Sequence, residues 1–323
     1  MLVSIIIPAF NAANTIERAI ASALTQDYPD IELILVDNNS SDGTMKLMEK
    51  AALVHPKKIR VTNCLIQGCS AARNRGIMLS QGEWFQFLDA DDTLESGKIK
   101  NQLTAASSDT RWIISPYRIL FPDGYVLLNT PAEDLWKGLV YQYRTGYTCS
   151  NLYHRESLMG VGNWDEDLPD NTDPNLHFKL LKNNAPYLIV PAIETNYYQH
   201  NSPDRVSTSS PVAGNQRRIE MLVEVNHFLK NNRPDYWEKN SSYFKAALLS
   251  TLRILATHDL TLASQNFAKH FDQTDLSGLF GQPILSKYFL RAYQLFGFRT
   301  TEWLRLSATP LVPTGLKRWL KTA

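Results

Sequence analysis

The sequence predicts an α/β domain followed by a helical region, and three observations carry that expectation. Short runs rich in β-branched and aromatic residues, Val3 to Ile7, Ile31 to Val36, Ile59 to Ile66 and Trp84 to Leu88, alternate with stretches whose apolar residues recur at helical spacing. Each run stops on proline, an acid or turn-forming residues. Beyond Pro211 such runs cease and only helical stripes remain.

In order along the chain, Val3 to Ile7 closes on Pro8 and reads as a strand buried on both faces of a parallel sheet. Asn14-Thr15 offers a helix cap, and Ile16, Ala19, Ile20, Ala23 and Leu24 form one helical face before Tyr28-Pro29. The next strand, Ile31 to Val36, ends on Asp37. Asn38 to Gly43 is turn chemistry, and Met45, Met48, Ala52 and Leu53 suggest a second helix. Ile59 to Ile66 leads through Gly68 to a helix carrying Arg73 and Asn74, and Trp84 to Leu88 delivers Asp89-Ala90-Asp91-Asp92. This alternation, from Met1 to about Ser107, describes a doubly wound domain.

Further on, Trp112 to Leu120 and Tyr125 to Leu128 read as a hairpin around Pro122-Asp123-Gly124. Thr148 to Tyr153, Tyr187 to Val190 and Thr195 to Gln199 are strand-like. After Pro211, Ile219, Leu222, Val223, Val225, Phe228 and Leu229 form one stripe, and Phe244, Ala247, Leu248, Leu252 and Leu255 another, expected to pack on it.

With 323 residues, 44% hydrophobic and 20% charged, the chain has ample core for one large or two modest domains. A net charge of +1 gives no global reason to expect nucleic acid as a partner. Cys64, Cys69 and Cys149 have no Cys-x-x-Cys spacing, so neither a disulfide framework nor a zinc site is suggested. The opening residues lack a signal-peptide pattern, and no stretch is long and apolar enough to span a bilayer. The expectation is a cytoplasmic chain, soluble or peripheral at the inner face of a membrane.

The acids after Leu88 carry the first functional expectation. Three carboxylates that close repel one another, and a divalent cation is the simplest partner. Mg2+ or Mn2+ takes carboxylate oxygens together with substrate phosphates. The plainer reading is that Asp92-Thr93 caps a helix beginning near Leu94. In open α/β sheets ligands gather beyond the carboxyl ends of the strands, so Phe10-Asn11, Asp37 and Asp89 to Asp92 are candidates for one crevice.

Four motifs in order then point to a family. Val3 to Asn11, Leu35-Val36-Asp37 with Ser41-Asp42-Gly43-Thr44, Ala72-Arg73-Asn74-x-Gly76, and Phe87 to Asp92 together resemble the inverting family 2 glycosyltransferases of GT-A fold. The resemblance implies a Rossmann-like GT-A domain using a nucleotide-sugar donor, UDP-sugar favoured, with Mn2+ or Mg2+. It places Pro8, Ala9, Phe10 and Asn11 beside the nucleotide, Phe10 against the base, and Asp37 on the base. By the same likeness Arg73 helps hold the nucleotide, Asp89 and Ala90 lie on the ribose side, and Asp91 meets the metal.

Inversion needs a base for the acceptor hydroxyl. The segment Gly162 to Leu168 followed by Asp173 resembles the family's stretch that ends in the catalytic acid, which assigns that role to Asp173. Thr172 and Asn175 depart from the pattern, Asp170 is a competing acid, and Asp173-Pro174 also reads as a helix cap. Past Thr195 to Gln199, the stretch from His200 through Ser202 and Ser207 resembles the family's metal-contacting tail, so His200 is a second metal candidate and Pro203 to Arg205 a candidate lid. The aromatics Tyr141, Tyr143 and Tyr147 suit sugar faces, with ordinary hydrophobic packing the plainer reading.

The domain expectation is 1–210 as the GT-A domain, with 1–107 its nucleotide half and 108–210 its acceptor half, and 211–323 as a helical region. From Lys287 on, Arg291, Arg299, Arg305, Lys317, Arg318 and Lys321 are interleaved with aromatics and face only Glu302. That pattern fits an anionic membrane bearing a lipid-linked acceptor, or docking on the protein or on a second subunit. The expected reaction moves a sugar to a hydroxyl of a glycan or lipid-linked acceptor. A metal-dependent nucleotidyltransferase and a non-catalytic nucleotide-sugar-binding protein are the alternatives.

Overall fold

The computed structural model describes residues 1–200, 210–273 and 276–308. The chain divides into two compact units, residues 1–202 and 203–323. The lid candidate Pro203 to Arg205, the tail residues Ser202 and Ser207, and the basic residues Lys317, Arg318 and Lys321 lie outside the described residues.

In the first unit the elements run β1 (Val3–Ala9), α1 (Ile16–Leu24), β2 (Ile31–Asp37), α2 (Thr44–Val54), β3 (Ile59–Asn63), α3 (Cys69–Leu79), β4 (Trp84–Phe87), β5 (Thr93–Leu94) and α4 (Lys98–Ala105). They continue with β6 (Trp112–Ile114), β7 (Tyr117–Leu120), β8 (Val126–Asn129), α5 (Leu135–Val140), β9 (Leu152–His154), α6 (Arg155–Gly160), α7 (Thr172–Lys182), β10 (Tyr187–Ile189) and β11 (Thr195–Tyr198). A seven-stranded sheet has the order β10-β6-β9-β4-β1-β2-β3, and a four-stranded sheet the order β5-β11-β7-β8.

β1 is parallel to both β2 and β4, so the connections from β1 leave toward β2 on one side while β4 returns on the other. The switch in strand order therefore falls at β1 and β4, whose carboxyl ends carry Phe10-Asn11 and Asp89 to Asp92. All seven residues of β1 are buried, as a strand covered on both faces by helices requires. Gly76 explains the close seat of α3: a Cβ there would come within 2.3 Å of Ile6 Cγ2.

Three local expectations are corrected. Trp112 to Leu120 is two strands, β6 in the large sheet and β7 in the small one. Pro116 between them has no N–H to donate, and the chain changes sheets there. Thr148 to Ser150 is a 3-10 turn, and only Leu152–His154 continues as strand, antiparallel to β4 and β6. No helix begins near Leu94. Thr93–Leu94 pairs with β11 instead, and the helix starts at Lys98. The hairpin around Pro122-Asp123-Gly124 is present, joining β7 to β8.

The second unit contains α8 (Pro211–Asn232), α9 (Pro234–Ala256), α10 (Leu260–His270), α11 (Lys287–Phe296) and α12 (Phe298–Ala308). Ile219, Leu222, Val225 and Leu229 of α8 are buried, as are Phe244, Ala247, Leu248, Leu252 and Leu255 of α9, and the two helices pack along each other. Glu302 is wholly buried, held by the Tyr293 hydroxyl, by Arg305 Nε at 2.7 Å and by Arg253 Nε at 3.4 Å. A buried carboxylate needs such partners, because its desolvation is otherwise uncompensated.

Candidate active site

The loops after β1 and β2 are built as one piece. Asn11 adopts a left-handed backbone with φ of 48°, donates its N–H to Ser40 Oγ at 3.0 Å and accepts the Ser41 N–H on Oδ1 at 2.8 Å. Ala12 N–H donates to Thr44 Oγ1 at 2.8 Å, and Ala13 N–H to Asp42 Oδ2 at 3.0 Å. Burial would raise the Asp42 carboxyl, but hydrogen bonds from Thr44 and from the Ala13 and Thr44 amides outweigh it and hold the group below its usual range. Ser41 to Thr44 thus fixes the turn that carries Phe10.

Phe10 is half exposed at the rim, and Asp37 is buried at the end of β2. Asp37 Oδ2 accepts the Ser40 N–H at 3.2 Å, while Oδ1 is buried without a hydrogen-bond partner among the described residues. A buried acceptor of this kind is costly unless a ligand donor completes it. Asn38 beside it donates to the Cys64 and Ile66 carbonyls and accepts the Gly68 N–H, fixing the approach to α3.

Past β4 the chain turns tightly, with Asp92 N–H donating to the Asp89 carbonyl at 3.1 Å, and this sends the three acids in different directions. Asp89 is held on both carboxylate oxygens: Oδ1 accepts from Arg73 Nη2 at 2.9 Å, and Oδ2 from the Tyr147 hydroxyl. Its amide donates to Cys149 Sγ at 3.2 Å. Burial and the adjoining Asp89 charge push the Tyr147 hydroxyl well up, so it stays a donor.

Asp91 is a third exposed and meets His200 Nε2 at 2.7 Å. Arg18 of α1 donates to the Asp91 carbonyl and lies over the Tyr198 ring. Asp92 is fully buried. Its Oδ1 accepts the Tyr198 N–H at 3.0 Å, and Oδ2 has no partner among the described residues. Burial, then the charges of Asp89 and Asp91, push its carboxyl well above the carboxylate range, which favours the protonated form. Asp89, Asp92 and Cys149 present ligand atoms within 4.8 Å of one another. Ala90 is buried between the acids.

Arg73 joins the two halves of the first unit. Its side chain is 4% exposed, bonds Asp89 on one side and Asp173 Oδ1 at 3.4 Å on the other, and lies 4.4 Å from the Trp164 ring centre. A cation so deeply buried is sustained by those two carboxylates. Asp173 is the second residue of α7, whose cap position is Asn171 in a left-handed conformation, so Asp173 is not the cap. Pro174 does occupy the first turn.

One turn further on, His177 is buried and neutral. Its Nδ1 pairs with Thr145 Oγ1 and its Nε2 with the Tyr153 hydroxyl, each at 2.8 Å, and burial lowers its pKa to about 4. Asp170 bonds Asn171 Nδ2 at 2.7 Å, outside the helix.

Tyr147, Cys149, His177 and Arg18 are absent from the site residues singled out by sequence, and Asp92 was grouped there with the strand-end acids without a role of its own. Of the first four, Tyr147 alone carried a signal, as one of an aromatic cluster. The rest are brought in by tertiary pairing.

Residues 4–158 match the family described as Glycosyl transferase family 2. Through this segment, just under half of its length, the chain is similar to glycosyltransferase family 2. Among its relatives is the UDP-Glc:alpha-D-GlcNAc-diphosphoundecaprenol beta-1,3-glucosyltransferase WfaP of Escherichia coli, 38% identical over 102 residues, 32% of this chain and 40% of that protein. Among solved structures, Staphylococcus aureus TarS 1-349 in complex with UDP-GlcNAc superposes with a TM-score of 0.59 at 14% identity, covering 95% of this chain and 92% of that one. The mannosyltransferase PcManGT of Pyrobaculum calidifontis, in complex with GDP-Man and Mn2+, gives 0.54 at 16% identity, covering 94% and 86%.

The likeness to these solved structures shows the GT-A fold. The chain spans only 27% to 60% of the length of the curated Rickettsia glycosyltransferases it matches. The family match also ends before Asp173 and His200, so those two residues stand on geometry.

Proposed function

We propose that this glycosyltransferase moves a sugar from a nucleoside diphosphate sugar, UDP-sugar favoured, to a hydroxyl of a glycan or lipid-linked acceptor, by a single displacement that inverts the anomeric carbon. The observation that carries the reading is the bridge Asp89–Arg73–Asp173, which ties the acid after β4 to the acid opening α7 through one buried guanidinium. Donor-side and acceptor-side carboxylates held by one cation can face the two ends of a displacement.

In this reading Phe10 covers the base, and Asp37 Oδ1 accepts from it, which satisfies the orphaned oxygen. Pro8, Ala9 and Asn11 shape the turn beside the nucleotide, while Asp89 and Ala90 border the ribose. Asp173 Oδ2, the oxygen turned away from the Arg73 bridge, takes the acceptor proton. The hydroxyl oxygen then bonds the anomeric carbon as the bond to the diphosphate breaks. Arg73, bonded to Oδ1, keeps Asp173 oriented.

Mn2+ or Mg2+ would be held by Asp91 and His200, whose facing oxygen and nitrogen suit a cation that also takes phosphate oxygens. When bound, such a cation supplies positive charge to the diphosphate as it leaves. UDP is favoured because TarS is complexed with UDP-GlcNAc and the name of WfaP carries UDP-Glc, whereas PcManGT is complexed with GDP-Man. The lipid-linked acceptor rests on the diphosphoundecaprenol in WfaP's name and on the basic C-terminal residues. Among the described residues no helix is long and apolar enough to cross a membrane.

The test is calorimetric titration of nucleoside diphosphates and their sugars, with and without Mn2+, into the wild type and Asp91→Ala. Metal-dependent binding of one nucleotide, lost in Asp91→Ala, is the expected result. Absence of binding by every member of the panel would overturn the donor site.

A further inference from the structure

The strongest feature outside the site is the outer surface of α11 and α12. In α11, Leu290 and Tyr293 face inward, while Lys287, Tyr288, Arg291 and Leu295 fall on the opposite arc and are exposed, Tyr288 by 70% and Leu295 by 75%. In α12, Phe298, Thr301 and Glu302 face inward, and Arg299 and Trp303 are exposed, Trp303 by 57%. Each helix therefore presents arginine beside a large apolar or aromatic side chain.

The charge that α11 and α12 themselves carry outward is of one sign. Glu302 is the only acid from residue 287 to the end of the sequence, and it is sequestered with Tyr293, Arg305 and Arg253. The exposed Lys287, Arg291 and Arg299 are thus not offset by an acid on their own helices. A second copy of the same surface would meet it with like charge, which disfavours self-pairing. An anionic bilayer meets it with opposite charge, and takes Tyr, Trp and Leu into the headgroup and acyl boundary while arginine and lysine stay at the phosphates.

We propose that α11 and α12 form a peripheral docking face for an anionic lipid surface, with Tyr288, Leu295 and Trp303 as the inserted side chains and Lys287, Arg291 and Arg299 as the phosphate contacts. The inference deepens the lipid-linked acceptor reading and rests on it for its purpose. The basic residues of 317–321 add charge of the same sign in sequence.

The experiment uses the full chain and vesicles free of acceptor. Sedimentation with vesicles of phosphatidylcholine alone is compared with vesicles also containing phosphatidylglycerol. Binding to the anionic vesicles is expected, weakening as salt rises, falling about tenfold or more in Arg291→Glu/Arg299→Glu and also falling in Trp303→Ala at unchanged charge. Unfolding midpoints equal to the wild type exclude a folding defect in these surface variants.

No binding, equal binding to both vesicles, or binding undiminished in the double variant overturns the proposal. So does self-association that Trp303→Ala abolishes, which would make a second copy the occupant. Transfer to a short-chain, water-soluble polyprenyl diphosphate sugar separates the two readings. Transfer without vesicle binding sinks the docking face alone, and vesicle binding without transfer to any such acceptor sinks the acceptor reading alone.

Discussion

At the scale of single residues, the proposed chemistry rests on Asp173 and Arg73. Asp173 Oδ1 is committed to Arg73, so substitution by asparagine preserves shape and an acceptor at that atom while removing the proposed base. Asp173→Asn is expected to lower kcat roughly 10²- to 10⁴-fold, with calorimetric donor affinity within about twofold of wild type. A proportionate loss of donor binding would show that the residue is structural instead. Arg73→Met leaves Asp89 and Asp173 without their shared cation in a mostly buried setting. It is expected to destabilise the fold by about 3 kcal/mol or more, read from denaturant midpoints at unchanged slope.

Among elements, the seating of α3 on β1 is decisive, because Arg73 rides on that helix three residues before Gly76. A methyl at position 76 would overlap Ile6 Cγ2, a branched side chain within a fully buried strand that has little room to give. Gly76→Ala should therefore cost about 1–3 kcal/mol and move α3, weakening donor binding and turnover together. Unchanged stability would mean that the sheet yields. The Ala72-Arg73-Asn74-x-Gly76 motif thus combines a functional side chain with the close approach that positions it. The Ser41 to Thr44 motif does the same for Phe10, by cross-bonding two loops 29 or more residues apart. Both motifs were visible in sequence, yet their purpose was not, since neither a helix-to-strand distance nor a loop-to-loop bond has a local periodicity.

For the molecule as a whole, several buried groups make stability depend on pH; the raised Asp92 carboxyl loses its contribution as pH rises, and two others act in the opposite sense. His177 has an ordinary value of 6.5 and a folded value of about 4, set apart by burial. Between those values the unfolded chain binds a proton that the folded one refuses, so stability falls as pH drops from about 6.5 toward 4. Lys98, 1% exposed and bonded to Gln86 and Gln102, is lowered by burial from 10.5 to about 7. The same argument makes stability fall as pH drops from 10.5 toward 7. Each contribution is on the order of a few kcal/mol. Urea midpoints measured from pH 4 to pH 10 check this: Lys98→Met should remove the slope above pH 7 and leave the acid limb. A slope unchanged in that variant would assign it to other groups.

Sequence by itself determined the parallel core and the address of the site. Strands buried on both faces must be continuous apolar runs, and the residues after each run lie at its carboxyl end, so Phe10, Asp37 and Asp89 to Asp92 could be placed without coordinates. Helical stripes past Pro211 were equally legible, because amphipathic period is a local property. Only the tertiary structure decided which partners those residues take. Arg73 pairs with acids 16 and 100 residues away, Tyr147 reaches Asp89 across 58, and His200 reaches Asp91 across 109. It also decided that Trp112 to Leu120 serves two sheets. Pairing over such separations depends on where whole elements pack, and side-chain spacing within one element carries no record of that distance.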